Sequence, residues 1–184
     1  MVKMATHNKG RIIYCIDTSS LVNIQRIYRI SKLTGIWEFL DELVKQGRLV
    51  APREVFKELE VGQGDEIFEW AKRNSSIVKQ LTTSQWLVAQ DIANDPKFNG
   101  FIDPEKETPD ADPFVIALAV EEQKQPRLIP EQWFVVADEI NPKRGKKVKI
   151  PDVCKDPRFN VECIMTEDLF DKEGLQLVRI KSLT

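Results

Sequence analysis

The sequence has few of the side chains on which most metal and redox chemistry depends. A single histidine, His7, occurs in 184 residues, in a polar stretch near the start. Imidazole-based acid–base catalysis and a Cys/His zinc site therefore find no support. Three cysteines, Cys15, Cys154 and Cys163, are sparse and lack C-x-x-C spacing. That usage points to a reducing compartment rather than a disulfide framework. No apolar run approaches the roughly 20 residues that span a bilayer. Residues 1–11 are polar and lack the apolar centre of a signal peptide. A cytoplasmic protein with no membrane contact is expected. Neither a P-loop nor a G-x-G-x-x-G follows any apolar run, so nucleotide cofactors are not indicated. Basic excess is missing too: the net charge is −2. A protein that wraps nucleic acid over its whole surface would be basic, so any such contact must be local. Chemistry, if present, falls to carboxylates.

What remains is the composition of a globular protein, 42% hydrophobic and 30% charged. The length suits one domain with a sizeable core, taken here as 1–184. Short continuous apolar runs at 11–16, 49–51 and 133–137 read as strands buried on both faces. Further closing strands are expected at 161–164 and 177–180. Apolar residues at helical spacing predict helices over 21–28, capped by Ser19 or Ser20, and over 35–46, stopped by Gly47. Others are expected from Pro52 to about 61, over 66–73, 84–92 and 111–122, with a short one at 151–155. Residues 94–110 read as a long loop, which compact domains seldom keep without a functional reason. Strands that alternate with helices predict a three-layer α/β/α sandwich on a mostly parallel sheet. There is no internal repeat.

Ligands bind open parallel sheets beyond the carboxyl ends of the strands. Asp17 follows the first strand; Asp138 and Glu139 follow the strand at 133–137; Glu58 and Asp112 lie on helices after strand or loop exits. If these acids converge, their repulsion must be relieved by protons or cations. Oxygen-only ligands select Mg²⁺ or Mn²⁺ over zinc. Such an ion lowers the pKa of a bound water and clamps a phosphodiester. Each acid also has a plainer reading. Asp17 caps the next helix, Glu58 is a solvated helix residue, Asp112 before Pro113 is a helix N-cap, and Asp138 and Glu139 are turn residues.

The order of these acids resembles that of the PIN-domain superfamily of nucleases, and more narrowly a PIN-like branch with no assigned substrate. Tyr14-Cys15-Ile16-Asp17-Thr18-Ser19-Ser20-Leu21 is similar to the opening strand and its first acid. Pro52-Arg53-Glu54-Val55-Phe56-Lys57-Glu58-Leu59 resembles the second motif, and Asp110-Ala111-Asp112-Pro113-Phe114-Val115 the third. Val135-Val136-Ala137-Asp138-Glu139 resembles the fourth, and Lys149-Ile150-Pro151-Asp152-Val153-Cys154 a stretch typical of the narrower branch. The resemblance runs from Ile12 to Ile180. It implies a Mg²⁺- or Mn²⁺-dependent endoribonuclease with Asp17, Glu58 and Asp112 at the metal. At the fourth corner the family has a threonine or serine, a spacer and an acid. Ala137 stands for the hydroxyl residue here, so Glu139 aligns as the acid, with Asp138 as spacer or substitute. Asp110 is an extra acid behind the site, and Ser19 a small polar residue beside it. The resemblance also implies RNA as substrate, a toxin–antitoxin pair with a small antitoxin protein, and a homodimer.

Two other readings stay open. One is a PIN-like binding or scaffold module whose catalysis has decayed, motivated by Ala137. The other is a phosphatase of the haloacid-dehalogenase type with Asp17 as nucleophile, although Ser19 stands where that chemistry wants a second aspartate. Lys143, Arg144, Lys146, Lys147 and Lys149 form a basic run that either meets RNA phosphates or is a solvated loop. Trp37, Trp70, Trp86 and Trp133 are expected in the core rather than as base-stacking platforms.

Overall fold

The computed structural model describes residues 10–61, 65–103, 110–138 and 148–175. Five strands and eight α-helices follow one another along them. They are β1 (Arg11–Ile16), α1 (Thr18–Ile27), α2 (Thr34–Lys45), β2 (Leu49–Pro52), α3 (Arg53–Glu60), α4 (Glu66–Arg73), β3 (Val78–Lys79), α5 (Thr83–Asn94), α6 (Asp112–Gln123), β4 (Glu131–Val136), α7 (Ile150–Cys154), β5 (Glu162–Ile164) and α8 (Thr166–Lys172). The expected strand at 177–180 lies outside the described residues.

The sheet order is β3-β2-β1-β4-β5, and every pairing is parallel. β1 is central, with Cys15 opposite Val50 on one side and Val135 on the other. Its residues Ile13 to Ile16 are at most 2% exposed, as a strand covered on both faces requires. Neighbouring residues of β1 point to opposite faces and so report both helical layers. The Cys15 thiol donates to the Val115 carbonyl of α6 at 3.4 Å. The Tyr14 hydroxyl donates at 2.7 Å to Glu173, just past α8. Phe170 of α8 packs edge-on against Tyr28 and Phe39, which places α1, α2 and α8 in one layer. Helices therefore cover both faces, and the architecture is the expected three-layer α/β/α sandwich, with all five strands parallel rather than most.

Several local details differ from the sequence reading. α1 begins three residues early, because Asp17 and not Ser19 or Ser20 is the N-cap: its carboxylate accepts the Ser19 backbone N–H at 3.0 Å. α6 begins with Asp112 inside the helix, and Ala111 is the N-cap. α8 and the two-residue β3 have no counterpart in that reading. The loop expected at 94–110 is pinned where it is described. A 3-10 turn at Pro96–Phe98 buries Phe98, and Lys97 donates to Asp156 at 2.6 Å. Arg158 bridges Asp156 and Asp95 and lies over the Phe98 and Phe159 rings. Those hydrogen bonds from Arg158 and Lys97 hold the Asp156 carboxyl well below the usual carboxylate range. Gly47, at φ +64°, ends α2 as expected, in a backbone region glycine enters without strain. Cys15 and Cys154 are buried free thiols and Cys163 is partly buried. No helix among the described residues is long and apolar enough to cross a membrane.

Trp37, Trp70 and Trp133 are core residues, whereas Trp86 is 44% exposed and leans on Phe114. Trp70 is the largest fully buried side chain; it meets Trp37 edge-on at 5.3 Å and donates its indole N–H to Asp41 at 2.7 Å. Trp70→Ala is expected to cost about 3–5 kcal/mol in urea unfolding, because it opens a cavity and removes one of the two donors to Asp41, the other being Asn74 at 2.9 Å. A loss below about 1 kcal/mol would contradict the packing described.

Candidate functional site

Parallel topology brings the carboxyl ends of β2, β1 and β4 to one edge. The chain leaves β1 toward β2 and β3, then returns to the other side of β1 as β4, so the sheet's switch point lies between β1 and β4. This is where open α/β sheets offer a crevice.

Asp17 stands at the end of β1, only 3% exposed. Its backbone N–H donates to the Val136 carbonyl at 3.0 Å, which locks β1 to β4 at this end. One carboxylate oxygen, Oδ2, accepts the Ser19 N–H and, at 2.6 Å, the Ser19 hydroxyl. The other, Oδ1, is buried and has no hydrogen-bond partner among the described residues. Burial raises the Asp17 pKa; the Ser19 hydrogen bonds and one from the Thr18 backbone oppose the rise, and the charge of Glu58 adds to it. The group is thus a helix cap on one oxygen and an unsatisfied acceptor on the other.

Glu58 reaches this point from the far half of α3. Its Oε2 accepts the Thr18 hydroxyl, and its Oε1 accepts the Ala111 backbone N–H at 3.1 Å. One carboxylate therefore ties the start of α1 to the start of α6. Asp112 is the next residue after Ala111, in the first turn of α6. Asp17, Glu58 and Asp112 are in this way brought to the same edge, linked through Thr18 and Ala111. Asp110 accepts the Asp103 backbone N–H at 2.9 Å and closes the base of the loop.

Asp138 is placed differently. It follows β4, and both its oxygens are engaged by α8: Oδ1 accepts the Thr166 N–H at 2.7 Å, and Oδ2 the Thr166 hydroxyl at 2.6 Å. Its own N–H donates to the Ser20 hydroxyl at 2.8 Å, and Asn23 lies at the long limit, 3.5 Å. Asp138 braces β4, α1 and α8 against one another. Glu139 and the basic residues Lys143, Arg144, Lys146 and Lys147 lie outside the described residues; Lys149 is half-buried at the start of α7.

No group of three His, Cys, Asp or Glu side chains spaced to hold a metal ion occurs among the described residues. Fit to a divalent ion rests instead on the orphaned Oδ1 of Asp17, with Glu58 beside it. The donors are hard oxygens, the class Mg²⁺ and Mn²⁺ prefer. Glu58 is held in place by Thr18 and Ala111. The sequence reading missed Thr18, the residue that holds Glu58, and Thr166, which occupies Asp138. Their signal was a hydroxyl next to a strand-end acid and at a helix start, too common to single out.

The fold and edge define a parallel α/β sandwich protein with an acidic centre at the switch of its sheet. The chain belongs to the family described as a domain of unknown function, DUF4411, whose model matches residues 14–177. No curated protein and no solved structure matches the chain significantly.

Two expectations follow. With EDTA present, Asp17→Asn should raise the thermal midpoint at neutral pH. Asparagine keeps the cap and removes a buried charge. The folded pKa of Asp17 is raised, so its ionisation opposes folding above that pKa, and the penalty lifts as pH falls through it. Wild type should therefore close the gap on the variant in mild acid. A lower midpoint for Asp17→Asn at every pH would contradict the account. Asp138→Ala should instead destabilise by about 1–3 kcal/mol in urea unfolding, since it strands the Thr166 donors. No change there would contradict the bracing role.

Proposed function

We propose that this chain is a PIN-like ribonuclease that works with Mg²⁺ or Mn²⁺. The observation that carries the reading is the buried, unpartnered Oδ1 of Asp17 beside Glu58 at the carboxyl edge of the sheet. Asp17, Glu58 and Asp112 would hold the ion, with Glu139 as the fourth acid. When bound, the ion supplies an activated water and neutralises charge on the phosphodiester.

The remaining work falls to side chains and helix ends. Ser19 fixes the rotamer of Asp17 by a short hydrogen bond to Oδ2, which leaves Oδ1 unused by the described residues. Thr18 and the Ala111 N–H fix Glu58, so a misplaced carboxylate need not reorganise on binding. The N-termini of α1 and α6 converge on this edge, and their positive ends favour an anionic backbone. The basic run from Lys143 to Lys149 would add phosphate contacts and keep the positive charge local. The order of motifs also supports a cytoplasmic toxin with a small antitoxin over its site, and a homodimer as its assembly.

A decayed, non-cleaving PIN-like module is the second reading. Its specific support is the fourth corner, where Ala137 has no hydroxyl and Asp138 is spent on Thr166. Incubating a mixed-sequence RNA with Mn²⁺ separates the readings. The wild type should cut it, and Asp17→Ala should lose at least about 10²-fold in rate, the scale of removing a metal ligand or one strong electrostatic group. Equal cleavage by both proteins would reject the nuclease. Saturable Mn²⁺ binding without cleavage would leave the decayed module.

A further inference from the structure

Large aromatics belong in a core, and Trp37, Trp70 and Trp133 comply, each at most 6% exposed. Trp86 does not. It is 44% exposed, the one aromatic among the exposed large apolar side chains of the described residues, and Leu87 beside it is 58% exposed. A single exposed apolar side chain is ordinary. The position and the support of Trp86 are not.

Its indole lies 5.1 Å, centroid to centroid, from the Phe114 ring, tilted by 32°. Phe114 is buried in the first turn of α6, where its N–H donates to the Ala111 carbonyl at 3.0 Å. The Ala111 N–H in turn holds Glu58. Trp86 therefore stands over the helix start that carries Asp112, which precedes Phe114 by two residues, about 3 Å of helix rise. With one face on Phe114, the indole keeps its other face in water. Its base is rigid. Gln85, the preceding residue, closes the capping box of α5: its Oε1 accepts the Thr82 N–H at 2.9 Å and its own N–H donates to the Thr82 hydroxyl at 3.3 Å. The Gln85 amide also donates to Glu122 at 2.9 Å, near the far end of α6. Ala89, one turn on, packs with Phe114 and Ala117.

A fixed, half-exposed ring is a platform for a nucleobase that is free of its own stack. Charge favours that occupant. The net charge of −2 limits what phosphate contacts can supply, so RNA affinity needs a contribution that is not ionic. Area argues against a second copy of the chain. A stable contact needs about 800 Å² per partner, and a wholly buried aromatic ring gives at most about 250 Å². One half-exposed indole and one leucine fall well short of that. We infer that Trp86 stacks on an unpaired base of the bound RNA, on the α6 side of the acidic centre. The inference rests on the ribonuclease reading and adds a binding residue to it.

The test is tryptophan fluorescence of the full chain, titrated in EDTA with a single-stranded RNA of mixed sequence, together with cleavage of that RNA in MnCl₂. Trp86→Leu keeps an apolar cover over Phe114 without an aromatic face, and Trp86→Phe keeps the face. The single strand should quench wild-type fluorescence, since the other three indoles are buried, and its perfect duplex should not. Trp86→Leu should lose the quench, bind roughly 5–150-fold more weakly and raise KM by a similar factor. Trp86→Phe should recover most of the affinity. If wild type cuts the RNA but Trp86→Leu binds and cuts within about twofold of it, the inference fails and the nuclease stands. A quench that survives in Trp86→Leu has the same meaning. So does a changed sedimentation coefficient of the free variant, because a second copy then uses this face. If wild type neither binds nor cuts RNA, both fail. A Trp86→Leu chain without a folded circular-dichroism spectrum also overturns the inference, because the ring is then a packing residue.

Discussion

Asp17 lies at the carboxyl end of the central strand with almost no exposure to solvent, and a carboxylate there must be compensated or protonated. Three devices act on it at once. Its Oδ2 takes the orphan N–H donor of α1 and the Ser19 hydroxyl. Its backbone N–H completes the ladder to β4. Its Oδ1 takes nothing from the described residues. The strand order makes this unavoidable. With β1 between β2 and β4, and helices packed on both faces, the residue after Ile16 has nowhere to go but inward. The cap explains Oδ2 but not Oδ1, and that second oxygen is what the proposed ion would satisfy.

The two sides of Asp17 then play different parts. On the β4 side, Ser20, Asp138 and Thr166 form a closed set of hydrogen bonds that fastens α1 and α8 to the sheet. On the β2 side, Glu58 of α3 joins the starts of α1 and α6 through one carboxylate, held by Thr18 and Ala111. A closed network rigidifies the edge on which the proposed cation would sit. Rigidity on one side presents the acids on the other without the cost of reorganisation.

Much of this was legible in the residues. The strands β1, β2 and β4 are buried on both faces, so they appear as continuous apolar runs that need no partner to be recognised. α6 is apolar nearly all round from Pro113 to Val120, because α5 and α7 cover what the sheet does not. α8 was hidden because it is seven residues long, with Leu169 and Phe170 as its only buried large apolar residues. β3, at two residues, is too short to carry any period. The cap of α1 was misplaced because Asp17, Thr18, Ser19 and Ser20 can all cap, and only the strand's exit angle selects the first. Asp17, Glu58 and Asp112 were legible through motif order. Their meeting was not, since it depends on a strand order that no local pattern encodes.

The central claim is that a divalent cation satisfies the buried Asp17 oxygen at this edge. Anomalous diffraction from a crystal of the full chain grown with MnCl₂ tests it most directly. The account predicts one strong manganese peak within coordination distance of Asp17 Oδ1 and of the Glu58 carboxylate. A map with no peak there, or with manganese bound only at surface carboxylates elsewhere, would contradict it.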